Sequence, residues 1–187
     1  MSNESPPQNG KKKGNGCLIA IVISVVAFFV IAVLGILAAV AIPGFMAYTK
    51  ASKTSEAKIN LRSIANGAAA YAMENKACPV AETPIRLGPI VDSSTMGQKH
   101  VPSEEDYNEV WKDLHFRLTS PSYYTYYYIS DGKTFKARAF ASLSDNCDSV
   151  FEVSGIMDSS GTLDLMPIVD KSENGIECNS IDILRFE

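Results

Sequence analysis

Residues 17–42, CLIAIVISVVAFFVIAVLGILAAVAI, carry no charge, hold Ser24 as the one polar side chain besides Cys17, and stop at Pro43. Wound as an α-helix at about 1.5 Å per residue, the stretch is ~39 Å long, against a hydrocarbon core of about 30 Å. A buried helix of a soluble core is the first alternative, but such helices are shorter and amphipathic, whereas every face here is apolar. A cleaved secretory signal is the second. Lys11, Lys12 and Lys13 make a basic leader and Ala39 and Ala41 are small, yet an h-region spans only ~7–15 residues. The expectation is an uncleaved transmembrane helix over 17–43.

Working outward, helical periodicity persists after the apolar run ends. Leu61, Ile64, Ala65, Ala68, Tyr71 and Ala72 recur at three- and four-residue intervals, while Lys50, Lys53, Glu56, Lys58 and Arg62 supply a polar surface. The spacing predicts that one helix leaves the membrane and continues over 44–76 as an amphipathic segment. Pro43 lies inside it, where it removes one backbone hydrogen bond and favours a kink.

On the N-terminal side, residues 1–16 (MSNESPPQNGKKKGNG) are polar, without apolar periodicity, and read as a disordered basic leader. The 187-residue length leaves room for one small domain beyond the anchor, and a net charge of −4 is too mild to suggest nucleic acid. Lysines flank the apolar run on both sides, so the positive-inside count does not orient it.

Residues 77–121 are rich in Pro, Gly, Ser and Thr and read as a variable connecting loop, with a short helix capped at Ser103 and Trp111 and Leu114 anchoring its far end in the core. From residue 122 the period becomes that of strands. YYTYYYIS, the turn Asp131-Gly132, KTFKARAFAS, the turn SDNCDS, VFEVSGIM, DSSG and TLDLMPIV form an antiparallel meander, and IDILRF adds a possible fifth strand. Phe135, Ala137, Ala139 and Ala141 share the buried face; Thr134, Lys136 and Arg138 share the other. Three alanines leave room for a close helix, and Ala65, Ala68 and Ala69 on the amphipathic segment are its natural partner. The fold class is α+β: one long N-terminal helix packed on a four- to five-stranded antiparallel sheet over 122–187.

The segment GILAAVAIPGFMAY, Gly35 to Tyr48, closely resembles the N-terminal helix of type IV pilins and of the pseudopilins of type II secretion, usually GILAAIAIPAY. The resemblance covers the helix, and one helix on one antiparallel sheet is the architecture it implies. It implies a structural subunit anchored once in the inner membrane, N-terminus cytoplasmic and domain periplasmic, displayed at the cell surface if assembled. Its partners would be the membrane, copies of itself or other pilin-like subunits, a prepilin peptidase and an assembly platform. Cleavage would fall between Gly16 and Cys17. Gly35, Ala38 and Ala39, with Pro43, would let helices pack closely in a filament core. One departure stands out: the family's buried glutamate, seventeen residues before the motif proline, is Val26 here. The alternative is a membrane-anchored periplasmic binding or adhesion module that keeps the fold without polymerising.

No catalytic constellation is visible, and the chain reads as a non-enzyme without a cofactor. His100 and His115 lack a carboxylate or cysteine at triad or metal spacing. Pseudopilins hold calcium near the sheet, but SDNCDS lacks the EF-hand pattern and reads as a polar turn, so no metal is expected. The tyrosine run 123–128 reads as core on one face and sheet cover on the other, with a subunit-packing patch as the functional alternative. In an exported domain disulfides persist, and pilins close a C-terminal loop with one; the resemblance implies Cys147 to Cys178, while the residues alone leave every pairing of Cys78, Cys147 and Cys178 open. Cys17 precedes the apolar stretch instead of following it, which argues against lipidation.

Overall fold

A computed structural model describes residues 16–91, 93–143 and 149–172. The chain divides into two compact units, Met1–Tyr48 and Thr49–Glu187. Helix α1, Gly16–Asn75, contributes to both and contains Pro43.

In the second unit, strands β1 (Ala81–Leu87), β2 (Thr125–Ser130), β3 (Thr134–Ala141), β4 (Ser149–Met157), β5 (Leu163–Leu165) and β6 (Val169–Asp170) form one antiparallel sheet. Its order is β1-β2-β3-β4-β5, with β6 also on β4. The α+β class and the helix-on-sheet arrangement are as expected; β2 and β3 fall inside the strands read from the sequence, and β4 begins one residue earlier than VFEVSGIM, at Ser149, which the sequence reads as turn. The Asp131 turn forms because its carboxylate accepts from the Lys133 and Thr134 N–H groups at 2.8 and 2.7 Å. Those bonds hold the carboxyl below the ordinary aspartate range.

Two elements differ from expectation. Residues 77–121 were expected to be loop, but Ala81–Leu87 is an edge strand, antiparallel to β2. Pro79, Pro84 and Gly88 disguise it. Pro84 is tolerated because β1 has a neighbour on one side only and its register shifts between Ala81 and Ile85. The continuous strand TLDLMPIV is instead two pieces, β5 and β6, divided around Pro167, which has no N–H for the ladder. Met166 and Lys171 N–H groups still reach the Ser154 and Val150 carbonyls, both at 2.8 Å. The possible fifth strand IDILRF lies outside the described residues.

The core lies between the second half of α1 and one sheet face. Ala57, Leu61, Ile64, Ala65, Ala68 and Ala72 of α1 are buried, and Ala69 and Tyr71 half-buried. Opposite them Phe135, Ala137, Ala139 and Ala141 are buried, so the small-residue face does receive the alanine stripe. The other sheet face is less open than alternation implies: Tyr127, Arg138, Phe140 and Val150 are buried too. Arg138 pairs there with Glu152, its cross-strand partner. Tyr127 meets Phe140 edge-on with centroids 5.4 Å apart.

Helix α2, Glu109–Asp113, follows a single 3-10 turn at Glu104–Asp106. Ser103 opens that turn as expected, its N–H donating to the Asp106 carboxylate at 2.7 Å. Asn108 caps α2, accepting from Trp111 N–H at 3.1 Å. The helix closes on a Schellman motif: His115 N–H bonds Lys112 C=O, Phe116 N–H bonds Trp111 C=O, and the rings of Trp111 and Phe116 lie 5.8 Å apart. His115 takes the left-handed position with φ 50°.

Candidate functional site

The first half of α1 is set apart by the apolar surface it exposes. From Ile19 through Tyr48 nearly every apolar side chain is exposed, reaching 75% for Phe28 and 76% for Val40. At roughly 25 cal/mol per Å², so much apolar surface is stable only against lipid or other apolar helices. The segment qualifies by length and composition as one membrane span. Ser24 is accommodated within it because its hydroxyl donates to the Ala20 carbonyl at 2.9 Å.

Gly16 opens α1 and Cys17 stands in its first turn, which contains no acidic residue. Gly35, Ala38, Ala39 and Pro43 are all helical and exposed. A Cβ added at Gly35 or Gly44 would meet nothing within 4 Å. Cys147 and Cys178, and the turn around Asp145, Asn146 and Asp148, lie outside the described residues. Cys78 is a buried thiol, pushed up to about 11 by burial and then by the Asp131 charge, and therefore a poor nucleophile.

The tyrosine run resolves as core on one face and cover on the other. Tyr124, Tyr126 and Tyr128 enter the core with satisfied hydroxyls: Tyr124 with Ser149 Oγ at 2.6 Å, Tyr126 with Asn60 Nδ2 at 2.7 Å, Tyr128 with the Pro79 carbonyl at 3.1 Å. Burial pushes the Tyr126 and Tyr128 hydroxyls far above the normal phenol range. Tyr123 is half-buried; its N–H donates to Glu56 at 3.0 Å, and its ring receives Lys53 and Lys99 at 4.8 and 4.7 Å.

His100 bridges Ser122 through its backbone, and its Nε2 is buried without a hydrogen-bond partner. Burial lowers its pKa, opposed by the Tyr124 backbone and the Glu56 and Asp106 carboxylates. His115 serves the Schellman turn. Among the described residues no three His, Cys, Asp or Glu side chains gather as a metal site. A groove of about 390 Å³ opens beside the β1 register shift, between Glu82, Ile129, Asp131, Thr134 and Lys136. Its volume suits a small ligand.

Sequence reasoning missed Gly67. An added Cβ there would stand 1.9 Å from the Leu114 carbonyl oxygen, so α1 and the end of α2 touch backbone to backbone. A glycine within an alanine-rich helical stripe was the available signal. Compared with protein-family models, characterised proteins and solved structures, the chain matches none.

Proposed function

We propose that this protein is a pilin-like structural subunit, held in the inner membrane by the first half of α1 with its sheet domain on the periplasmic side. In this reading it belongs to a type IV pilus or a type II secretion pseudopilus. The observation that carries it is a single helix whose first half exposes apolar side chains all round and whose second half is packed on an antiparallel sheet. The segment GILAAVAIPGFMAY, with open space around Gly35 and Gly44, supports helix-to-helix packing as the mechanism. The function is then assembly, driven by burial of the exposed helix against like helices.

Val26 supports a second reading. A subunit without the buried carboxylate cannot offer a neighbour's N-terminal amine the usual charge partner. The groove beside β1 gives such a protein a place to bind a small ligand, as a membrane-anchored module that does not polymerise.

The deciding experiment is mass spectrometry of the N-terminal peptide of protein extracted from membranes. An N-terminus at Cys17 supports processing and the filament reading. A retained leader through Lys13 overturns it in favour of the anchored module.

A further inference from the structure

The groove beside β1 owes its opening to the backbone. Ala81 pairs with Ser130 and Ile85 with Tyr128, so three residues of β1 stand opposite Ile129 alone, and the bulged strand bends there. Pro84, inside the bulge, has no N–H with which to close the gap. Half-buried Ile129 and buried Phe135 line the groove with apolar surface, and Glu82, Asp131 and Lys136 stand around it. All of these residues belong to the second unit, and the chain is described without a break on either side of each of them.

The polar groups at the groove are unequally engaged. Ser130 Oγ accepts from the Gly132 N–H at 3.0 Å, and Thr134 Oγ1 donates to Asp131 at 3.2 Å, so both hydroxyls serve the turn between β2 and β3. Lys136 already has a partner, and Arg86, farther along β1, is turned to the Tyr127 hydroxyl. The Asp131 carboxylate takes its turn bonds on Oδ1 and keeps its charge because of them, while Oδ2 receives none of them. Glu82 has neither a hydrogen bond nor an ion pair among the described residues. The groove therefore offers a ligand anionic acceptors beside an apolar surface. A ligand carboxylate would meet two like charges, and a neutral body would leave both uncompensated.

Resting on the small-ligand reading of this groove, we propose that it takes an organic ammonium ion, a primary amine on a short apolar body, with the ammonium at Glu82 and Asp131 and the body on Ile129. An ammonium brings three donors and no acceptor, and its bonds to carboxylates are charge-assisted. Both carboxylates are exposed, where water and salt screen an ion pair and each contributes little. The apolar body must supply the remainder, which places Kd on the order of 1 mM. A volume of about 390 Å³ limits that body to a small one. Selection then comes from the sign of the ligand's charge.

The test uses the full chain in detergent micelles, with phenethylamine as the ammonium probe and 3-phenylpropionate as its anionic counterpart, both observed by saturation-transfer NMR. Saturable transfer to phenethylamine is expected, with little to 3-phenylpropionate and with Kd rising about fivefold in Glu82→Gln. Position 82 is exposed on an edge strand, and Trp111 emission checks that the variant keeps its fold. Binding of both probes alike, weakened for both by Ile129→Ala, overturns ammonium recognition and leaves the groove as a ligand site. Amine binding unmoved by Glu82→Gln overturns the proposal whatever Ile129→Ala does. Saturable binding of neither probe overturns the amine site and, with it, the small-ligand reading for bodies of this size.

Discussion

Gly67→Ala offers a severe check on the packing described here, because two effects with opposite signs meet at one atom. In an unconstrained helix the substitution favours folding by about 1 kcal/mol. In this structure the new Cβ would sit 1.9 Å from the Leu114 carbonyl oxygen, 2.8 Å from its carbon and 3.2 Å from its Cα, where ordinary contact begins near 3.4 Å. Relief needs a backbone shift of about 1.5 Å, since no flexible side chain can give way. Leu114 is itself buried and follows the fully buried Trp111, and the turn around it is closed by the His115 and Phe116 N–H bonds. Such overpacking costs roughly 3 kcal/mol, leaving a net loss of about 2 kcal/mol after the propensity gain. For a unit of this size that is a fall in Tm of roughly 5–10 °C. The chain's single tryptophan is Trp111, so its emission in detergent-solubilised protein reports both the transition and the local repacking. A Tm equal to or above the parent's would refute the close approach of α1 to α2.

Gly155→Ala should also destabilise, by about 1–2 kcal/mol, because its Cβ would fall 2.5 Å from Phe135 Cε1. A ring can yield where a carbonyl cannot, so chemical denaturation should rank this variant milder than Gly67→Ala. His115→Gly should stabilise by about 1 kcal/mol, since φ 50° is strained for any residue with a Cβ; an unchanged denaturation midpoint would count against the left-handed turn. Acid should weaken the second unit through His100. Its folded pKa lies below the ordinary 6.5, so the unfolded chain binds the extra proton first, and stability is complete above pH 6.5 and falls as pH drops toward the folded value. His100→Gln should flatten that part of a pH–Tm profile, and a slope unchanged by the substitution would show that other groups are responsible.

The elements most legible in the sequence were those fixed by periodicity within one segment. An apolar run without charges, an i, i+3, i+4 stripe ending at Ala72, and alternation from Phe135 to Ala141 each carry their own meaning. The Ser103 turn was legible because its partner, Asp106, is three residues away. What escaped depends on distant partners. β1 is a strand only because β2 lies beside it to accept a proline-containing edge, and Arg138 is buried although its alternation points away from the α1 face. Gly67 is required by Leu114, forty-seven positions later. The motif holding Gly35, Ala38, Ala39 and Pro43 is contiguous and so visible in the sequence, whereas Lys99 meets Lys53 only because both reach the ring of Tyr123.

The continuity of α1 across Pro43 bears on any attempt to study the sheet domain alone. In the intact chain the turn containing Thr49 and Lys50 receives its carbonyl partners from the preceding apolar half, so the domain owns no helix beginning. A fragment cut at that point creates one, with four amide groups facing water and no designed cap. Starting such a fragment at Thr49 would let its hydroxyl act as the cap, two turns ahead of Ala57, the first buried residue of the core. Starting it at Ala57 would place the fraying turns beneath the sheet itself. The most informative truncation boundary is therefore dictated by amide satisfaction as much as by hydropathy.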